Sequence, residues 1–75
     1  MIIQFGYSGG NGIVTLPVSY KIKNCSSIGV IDNYGSAWAA PTYTYELTLT
    51  YFKFIQTNYQ GYNYKYAIHW ISIGY

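Results

Sequence analysis

Cys25 and His69 are the single cysteine and single histidine of this chain, and Asp32 and Glu46 are its two acids. A thiol beside an imidazole is the outline of a nucleophile and its base. Neither an oxyanion-hole motif nor a third orienting group accompanies the pair, so Cys25 reads as a small buried thiol. Two carboxylates facing each other across a glycosidic bond would make a glycosidase. Asp32 and Glu46 could meet that way only across the fold or between subunits, and hydrolysis is not expected. His69, between Ile68 and Trp70, reads as a structural histidine, because a metal would need three symmetry copies of it on one axis. No catalytic residue, metal or cofactor is assigned, and the expectation is a protein that is not an enzyme. The glycine run around Gly9 is not followed by a helix, and a phosphate cradle fails in that context.

The aromatic residues offer a different chemistry. Eleven tyrosines occur in 75 residues. In strands a tyrosine fills half-buried pleated surface, which is the reading for Tyr20, Tyr51, Tyr66 and Tyr75. Tyr34, Trp38, Tyr43, Tyr59, Tyr62 and Tyr64 lie among Asn, Gln, Ser and Gly, the mixture of rigid aromatic faces and adaptable amides that recognition loops use. A sugar ring presents a C–H face that stacks on an aromatic and a rim of hydroxyls that suits amides. These residues form the candidate ligand-binding set; packing between subunits is the rival role.

The elements that must carry them are strands. Helix signals are nearly absent, and Tyr, Ile, Thr, Val, Phe and Trp are punctuated by Gly, Asn and Pro at intervals suited to short antiparallel strands. The expected class is all-β, a small antiparallel β-sandwich in one domain spanning residues 1–75. A first strand is expected at Ile2 to Phe5. Ile13 to Tyr20 alternates, with Val14, Leu16, Val18 and Tyr20 on one face and Ile13, Thr15, Pro17 and Ser19 on the other, Pro17 marking it as an edge or a bulge. Cys25 to Asp32 is expected to face Ile28 and Val30 inward. In Thr42 to Thr50, Tyr43, Tyr45, Leu47 and Leu49 share one face, and Thr44, Glu46, Thr48 and Thr50 the other. Phe52 and Phe54 share a face of the next strand. Tyr64 to Tyr75 is apolar on both faces, which predicts cover on both: its own sandwich on one side, a neighbouring subunit on the other.

Composition points the same way. Charged residues are 8% and apolar residues 51%, too few charges to coat an isolated small domain. One cysteine excludes an internal disulfide, so association of identical chains is the remaining reinforcement. The net charge of +2 comes from lysines without any arginine, which lacks the bidentate fork that suits phosphate; nucleic acid is not an expected partner. No apolar run approaches the roughly 20 residues that cross a bilayer, and membrane insertion is not expected.

Three stretches in order, "IIQFG" from Ile2, "IVTLPVSYKIKNCSSIGV" from Ile13 and the terminal "WISIGY" from Trp70, resemble the C-terminal domain of phage tail-fibre proteins. The resemblance spans essentially the whole chain. It implies a homotrimeric knob at the distal tip of a virion fibre, binding a polysaccharide receptor on a bacterial surface. Members of that family often rely on a tail-fibre assembly chaperone. The alternative within the same resemblance is a trimerisation or capping domain that touches no receptor. Met1 directly before a strand suggests a fragment of a longer fibre protein. Residues 33–45 and 57–66 are richer in tyrosine than the family pattern, so the identity of the receptor does not carry over.

Overall fold

The computed structural model describes residues 1–32, 41–57 and 60–75. It is all-β, with no helix among the described residues. The strands are β1 (Ile2–Ser8), β2 (Ile13–Thr15), β3 (Asn24–Ile31), β4 (Thr42–Tyr45), β5 (Tyr51–Thr57), β6 (Asn63–Tyr64) and β7 (Ile68–Gly74). They form two antiparallel sheets. One has the order β1-β7-β3; the other has the order β2-β5-β4, with β6 also pairing with β5. Their inner faces share one core of Val14, Leu16, Tyr20, Phe52, Phe54, Ile68 and Trp70. Phe52 of one sheet meets Trp70 of the other edge to face, ring centroids 5.9 Å apart, the arrangement the ring quadrupoles favour.

The period-two pattern of β5 produces this core directly. Phe52, Phe54 and Gln56 are buried while the residues between them are half-buried. In β7, Ile68, Trp70, Ser72 and Gly74 point inward. Gly74 is required by close approach, since a Cβ there would lie 2.4 Å from the Lys23 carbonyl oxygen and 2.7 Å from the Tyr20 ring. The C-terminal residue is held through its backbone. Tyr75 N–H donates to the Lys23 carbonyl, and its own carbonyl accepts from Ile22 and Lys23. Ile73 is only half-buried and the Tyr75 ring is exposed, so the anchoring of this end is by hydrogen bonds rather than by side-chain burial.

Several expectations about facing and extent are corrected. β1 runs on to Ser8, because Tyr7 and Ser8 still pair with His69 and Ile68. The strand expected over Ile13 to Tyr20 leaves its ladder after Thr15, next to Pro17, which has no N–H to give. Val14, Leu16 and Tyr20 point inward, but Val18 is exposed. In β3, Ile28 and Val30 point outward, and Ser27 and Gly29 take the inner positions. Gly29 has no alternative there: a Cβ would fall 2.6 Å from the Ile68 side chain. A register shift between Asn24 and Ser26 leaves Cys25 exposed rather than buried. The strand expected over Thr42 to Thr50 ends at Tyr45, and within it Tyr43 and Tyr45 face out while Thr42 and Thr44 are half-buried. The long expected strand also breaks: Tyr64 belongs to β6, and β7 starts at Ile68.

Polar side chains take up the backbone and hydroxyl groups left inside. The Gln4 amide donates to the Val18 carbonyl at 2.8 Å and accepts from the Val18 N–H at 3.1 Å. Gln56, fully buried, does the same for Tyr66, accepting from its N–H at 2.8 Å and donating to its carbonyl at 3.3 Å. Each glutamine thereby stands in for one residue of a missing strand. Between the sheets, the Tyr20 hydroxyl donates to Ser72 Oγ at 2.7 Å. Ser72 and Ser27 Oγ are 2.7 Å apart, and Ser27 donates to Asn24 Oδ1 at 2.9 Å. Asn24 Nδ2 in turn donates to the Thr48 carbonyl at 3.1 Å. A hydroxyl has one proton, so the chain runs in one direction, Tyr20 to Ser72 to Ser27 to Asn24 to Thr48.

Gln56→Met keeps the volume but removes the hydrogen bonds that Gln56 makes to the Tyr66 N–H and carbonyl. Each hydrogen bond lost costs roughly 0.5–1.5 kcal/mol. The expected result in urea denaturation is a lower midpoint with an unchanged slope, amounting to about 2 kcal/mol. A loss below about 0.5 kcal/mol would mean that the clamp contributes nothing.

Candidate functional site

Strand alternation gives each sheet an outward face, and the two faces differ in chemistry. On the β1-β7-β3 sheet the rows across the strands are Ile3, Ile73 and Ser26; Phe5, Ile71 and Ile28; and Tyr7, His69 and Val30. Phe5 is 78% exposed and Val30 68%. Even Ile71, flanked by a partner strand on each side, is 37% exposed. The row nearest Ser8 carries the ionisable groups. His69 Nε2 lies 2.6 Å from Asp32 Oδ1, and the His69 ring sits against Tyr7 with centroids 5.5 Å apart. This face is therefore aliphatic and aromatic, with one acid and one histidine paired to each other. Soluble monomeric domains rarely expose large contiguous apolar surface.

The outer face of the other sheet is built from β4 and β5. Tyr43 stands opposite Ile55, and Tyr45 opposite Lys53, which also faces Ile13 of β2. Tyr43 and Tyr45 are 54% and 45% exposed. Continued alternation would turn Glu46 inward with Thr42 and Thr44. Instead its φ is +50°, a left-handed conformation that disfavours any residue with a side chain, and β4 ends there. Leu47 then packs on the core. Glu46 Oε2 receives Lys53 Nζ at 2.8 Å and the Tyr51 hydroxyl at 3.0 Å. Tyr51 is itself fixed by the tight turn before it, where Thr48 Oγ accepts from the Tyr51 N–H and donates to its carbonyl. Strained backbone that persists because its surroundings hold it is a recognised mark of functional positions.

The electrostatics of this cluster follow from those contacts. The hydrogen bond from Lys53, then that from Tyr51, holds the Glu46 carboxyl below the usual glutamate range. The hydrogen bond to Glu46, then its charge, pushes the Lys53 ammonium and the Tyr51 hydroxyl above theirs.

The sequence-derived candidates distribute unevenly. Tyr34, Trp38 and Tyr59 lie outside the described residues. Tyr43 is on the outer face just described. Tyr64 pairs with Gln56, which points inward, so the register puts Tyr64 and Tyr43 on opposite faces of one sheet. Tyr64 is half-buried and stacks on Tyr66, centroids 5.2 Å apart and planes 10° from parallel. Tyr62 is exposed near the Gly61 turn. Tyr45, Tyr51, Glu46 and Lys53 were not among the candidates; the outward parity of Tyr43 and Tyr45 is what joins them, and alternation alone does not say which side is out. Among the described residues, no group of three or more His, Cys, Asp or Glu is placed to hold a metal ion. Compared with protein-family models, curated proteins and solved structures, the chain matches none of them.

The Glu46 contacts give a signed expectation with pH. A carboxyl with a depressed folded value contributes stability above its unfolded value, and that contribution disappears as pH falls through the folded one. In a carbon-13 NMR titration, the Glu46 carboxyl carbon should therefore show a midpoint below the ordinary value of about 4.3. Lys53→Met should move the midpoint back up towards that value, whereas a midpoint indifferent to the substitution would show that Lys53 does not hold the carboxylate.

Proposed function

We propose that this chain is the receptor-binding tip of a phage or phage-tail-like fibre, a homotrimeric β-sandwich knob that attaches to a bacterial surface polysaccharide without catalysing a reaction. The observation that carries the reading is the contrast between the two outward faces. The face with Phe5, Ile28, Val30 and Ile71 suits burial against further copies of the chain. Its His69 and Asp32 are paired with each other, so the face does not call for an acidic or a basic partner. The face with Tyr43, Tyr45, Glu46 and Lys53 is aromatic and polar, the character of a recognition surface.

The resemblance to tail-fibre tips adds support because its three stretches touch one another. Gln4 of "IIQFG" clamps Val18 of the second stretch. Gly6 pairs with Trp70 of "WISIGY", and Gly74 lies against Tyr20. Residues that belong to one folded unit would be expected to travel together in a sequence pattern. Several weak sites on a trimer, and several fibres on a particle, would raise avidity without new contacts. The work of the tip is then to hold a virion on its host.

Light scattering on the purified chain tests the assembly, with three times the chain mass of 8.5 kDa as the expected result. Phe5→Glu combined with Ile28→Glu, both on the exposed apolar face, should reduce that to a single chain mass. Retention on immobilised capsular polysaccharides and lipopolysaccharides from a panel of bacteria tests the attachment. A folded monomeric wild type would remove the knob, and a trimer that binds none of the panel would leave a structural cap in its place.

A further inference from the structure

We propose that the outer face of β4 and β5 is a binding site for a neutral saccharide, with Tyr45 and Tyr43 as its stacking platform and Glu46 and Lys53 as its polar rim. The proposal rests on the reading of the chain as a polysaccharide-binding tip, and it assigns the recognition to a rigid sheet face.

The geometry supplies the two halves of sugar recognition side by side. Tyr43 and Tyr45 are two residues apart on one strand, so their rings stand on the same face about 7 Å apart along it, and an extended glycan laid along β4 meets both. Next to Tyr45 is Lys53, its partner across the ladder. The carboxylate of Glu46 is already oriented before any ligand arrives, because Oε2 holds both Lys53 and Tyr51. Oε1 takes no hydrogen bond among the described residues. The ammonium of Lys53 has three donors, of which Glu46 engages one. An oriented acceptor beside a donor matches a hydroxyl, which both gives and takes a hydrogen bond. Groups fixed in advance lose less freedom when a ligand binds.

The same pair selects the class of sugar. Glu46 and Lys53 cancel in charge, so the site offers no net attraction to a uronic or sialic acid, and the fixed carboxylate stands in the way of one. Neutral hexoses and N-acetylhexosamines carry the required C–H face and hydroxyl rim without that penalty. A polypeptide would instead be drawn to the apolar face of the other sheet, away from this cluster.

The test uses the whole chain labelled with nitrogen-15. It is titrated with neutral oligosaccharides built on glucose, galactose, mannose and N-acetylglucosamine, and separately with oligogalacturonate. At least one neutral sugar should shift the amide signals of Tyr43, Tyr45, Glu46 and Lys53. Tyr45→Ala and Glu46→Gln should each weaken that binding by about tenfold or more with mass unchanged and the amide spectrum still that of a folded chain. If a variant fails to fold, the map on the wild-type chain still decides. Neutral sugars that bind with shifts centred on Tyr62 and Tyr64 would overturn the site and leave the fibre-tip reading standing. Preference for oligogalacturonate would overturn the selectivity for neutral sugars. A wild-type chain that binds none of the neutral sugars here, and no bacterial polysaccharide, would overturn both.

Discussion

A backbone N–H or carbonyl that leaves a β ladder inside a protein must find another partner, and at two breaks in this chain the partners are glutamine side chains. Two strands stop short, one at Pro17 and one between Tyr64 and Ile68, and at each break a buried glutamine takes the place of a neighbouring strand. The relay from Tyr20 through Ser72, Ser27 and Asn24 satisfies these side chains on one another and ends on the Thr48 carbonyl. Among the described residues no buried side-chain polar atom lacks a hydrogen bond. A network with one proton per hydroxyl admits few alternatives, so it specifies how the sheets sit on each other as well as stabilising them.

That constraint decides where the apolar residues go. Because Gln4, Asn24, Ser27, Gln56 and Ser72 occupy inner positions, Ile3, Phe5, Ile28, Val30 and Ile71 are turned to the opposite face. The apolar fraction of the chain therefore exceeds what its own core uses. Exposed hydrophobic surface and a satisfied polar interior are thus two results of one choice of parity. On the other sheet, outward parity brings Tyr43 and Tyr45 beside Lys53, and the left-handed turn at Glu46 completes the cluster.

Much of the fold was legible in the residues themselves. The all-β class followed from composition and punctuation, the shared faces of Val14, Leu16 and Tyr20 and of Phe52 and Phe54 from alternation, and the two-sided apolar character of β7 from its own sequence. Alternation, however, distinguishes two faces without ranking them when both hold plausible core residues. In β3 the inner positions went to Ser27 and Gly29 because the Ile68 and Ser72 side chains of the neighbouring strand β7 lie against them, a fact of a strand distant in sequence. In β4 the threonines turned in, with Thr42 Oγ accepting from Gln56 and Thr44 Oγ donating to the Ser27 carbonyl, which carried the tyrosines out. Tyr43 was recognisable as a candidate from its neighbours in sequence. Tyr45, Glu46, Tyr51 and Lys53 were not, since their proximity depends on register and on one positive φ.

The position of β7 has a bearing on how the protein comes into being. Ile2 pairs with Gly74 and Asn24 pairs with the same residue on the other side, so neither edge of that sheet has its hydrogen-bonding partner until the last strand has been synthesised. A ribosome can release β1 and β3 long before β7, and through that interval their aliphatic residues wait without a template. Pairings between distant parts of a chain close slowly. Translation speed near the codons for β7 would then set how long the nascent chain is open to association with its neighbours on the same polysome.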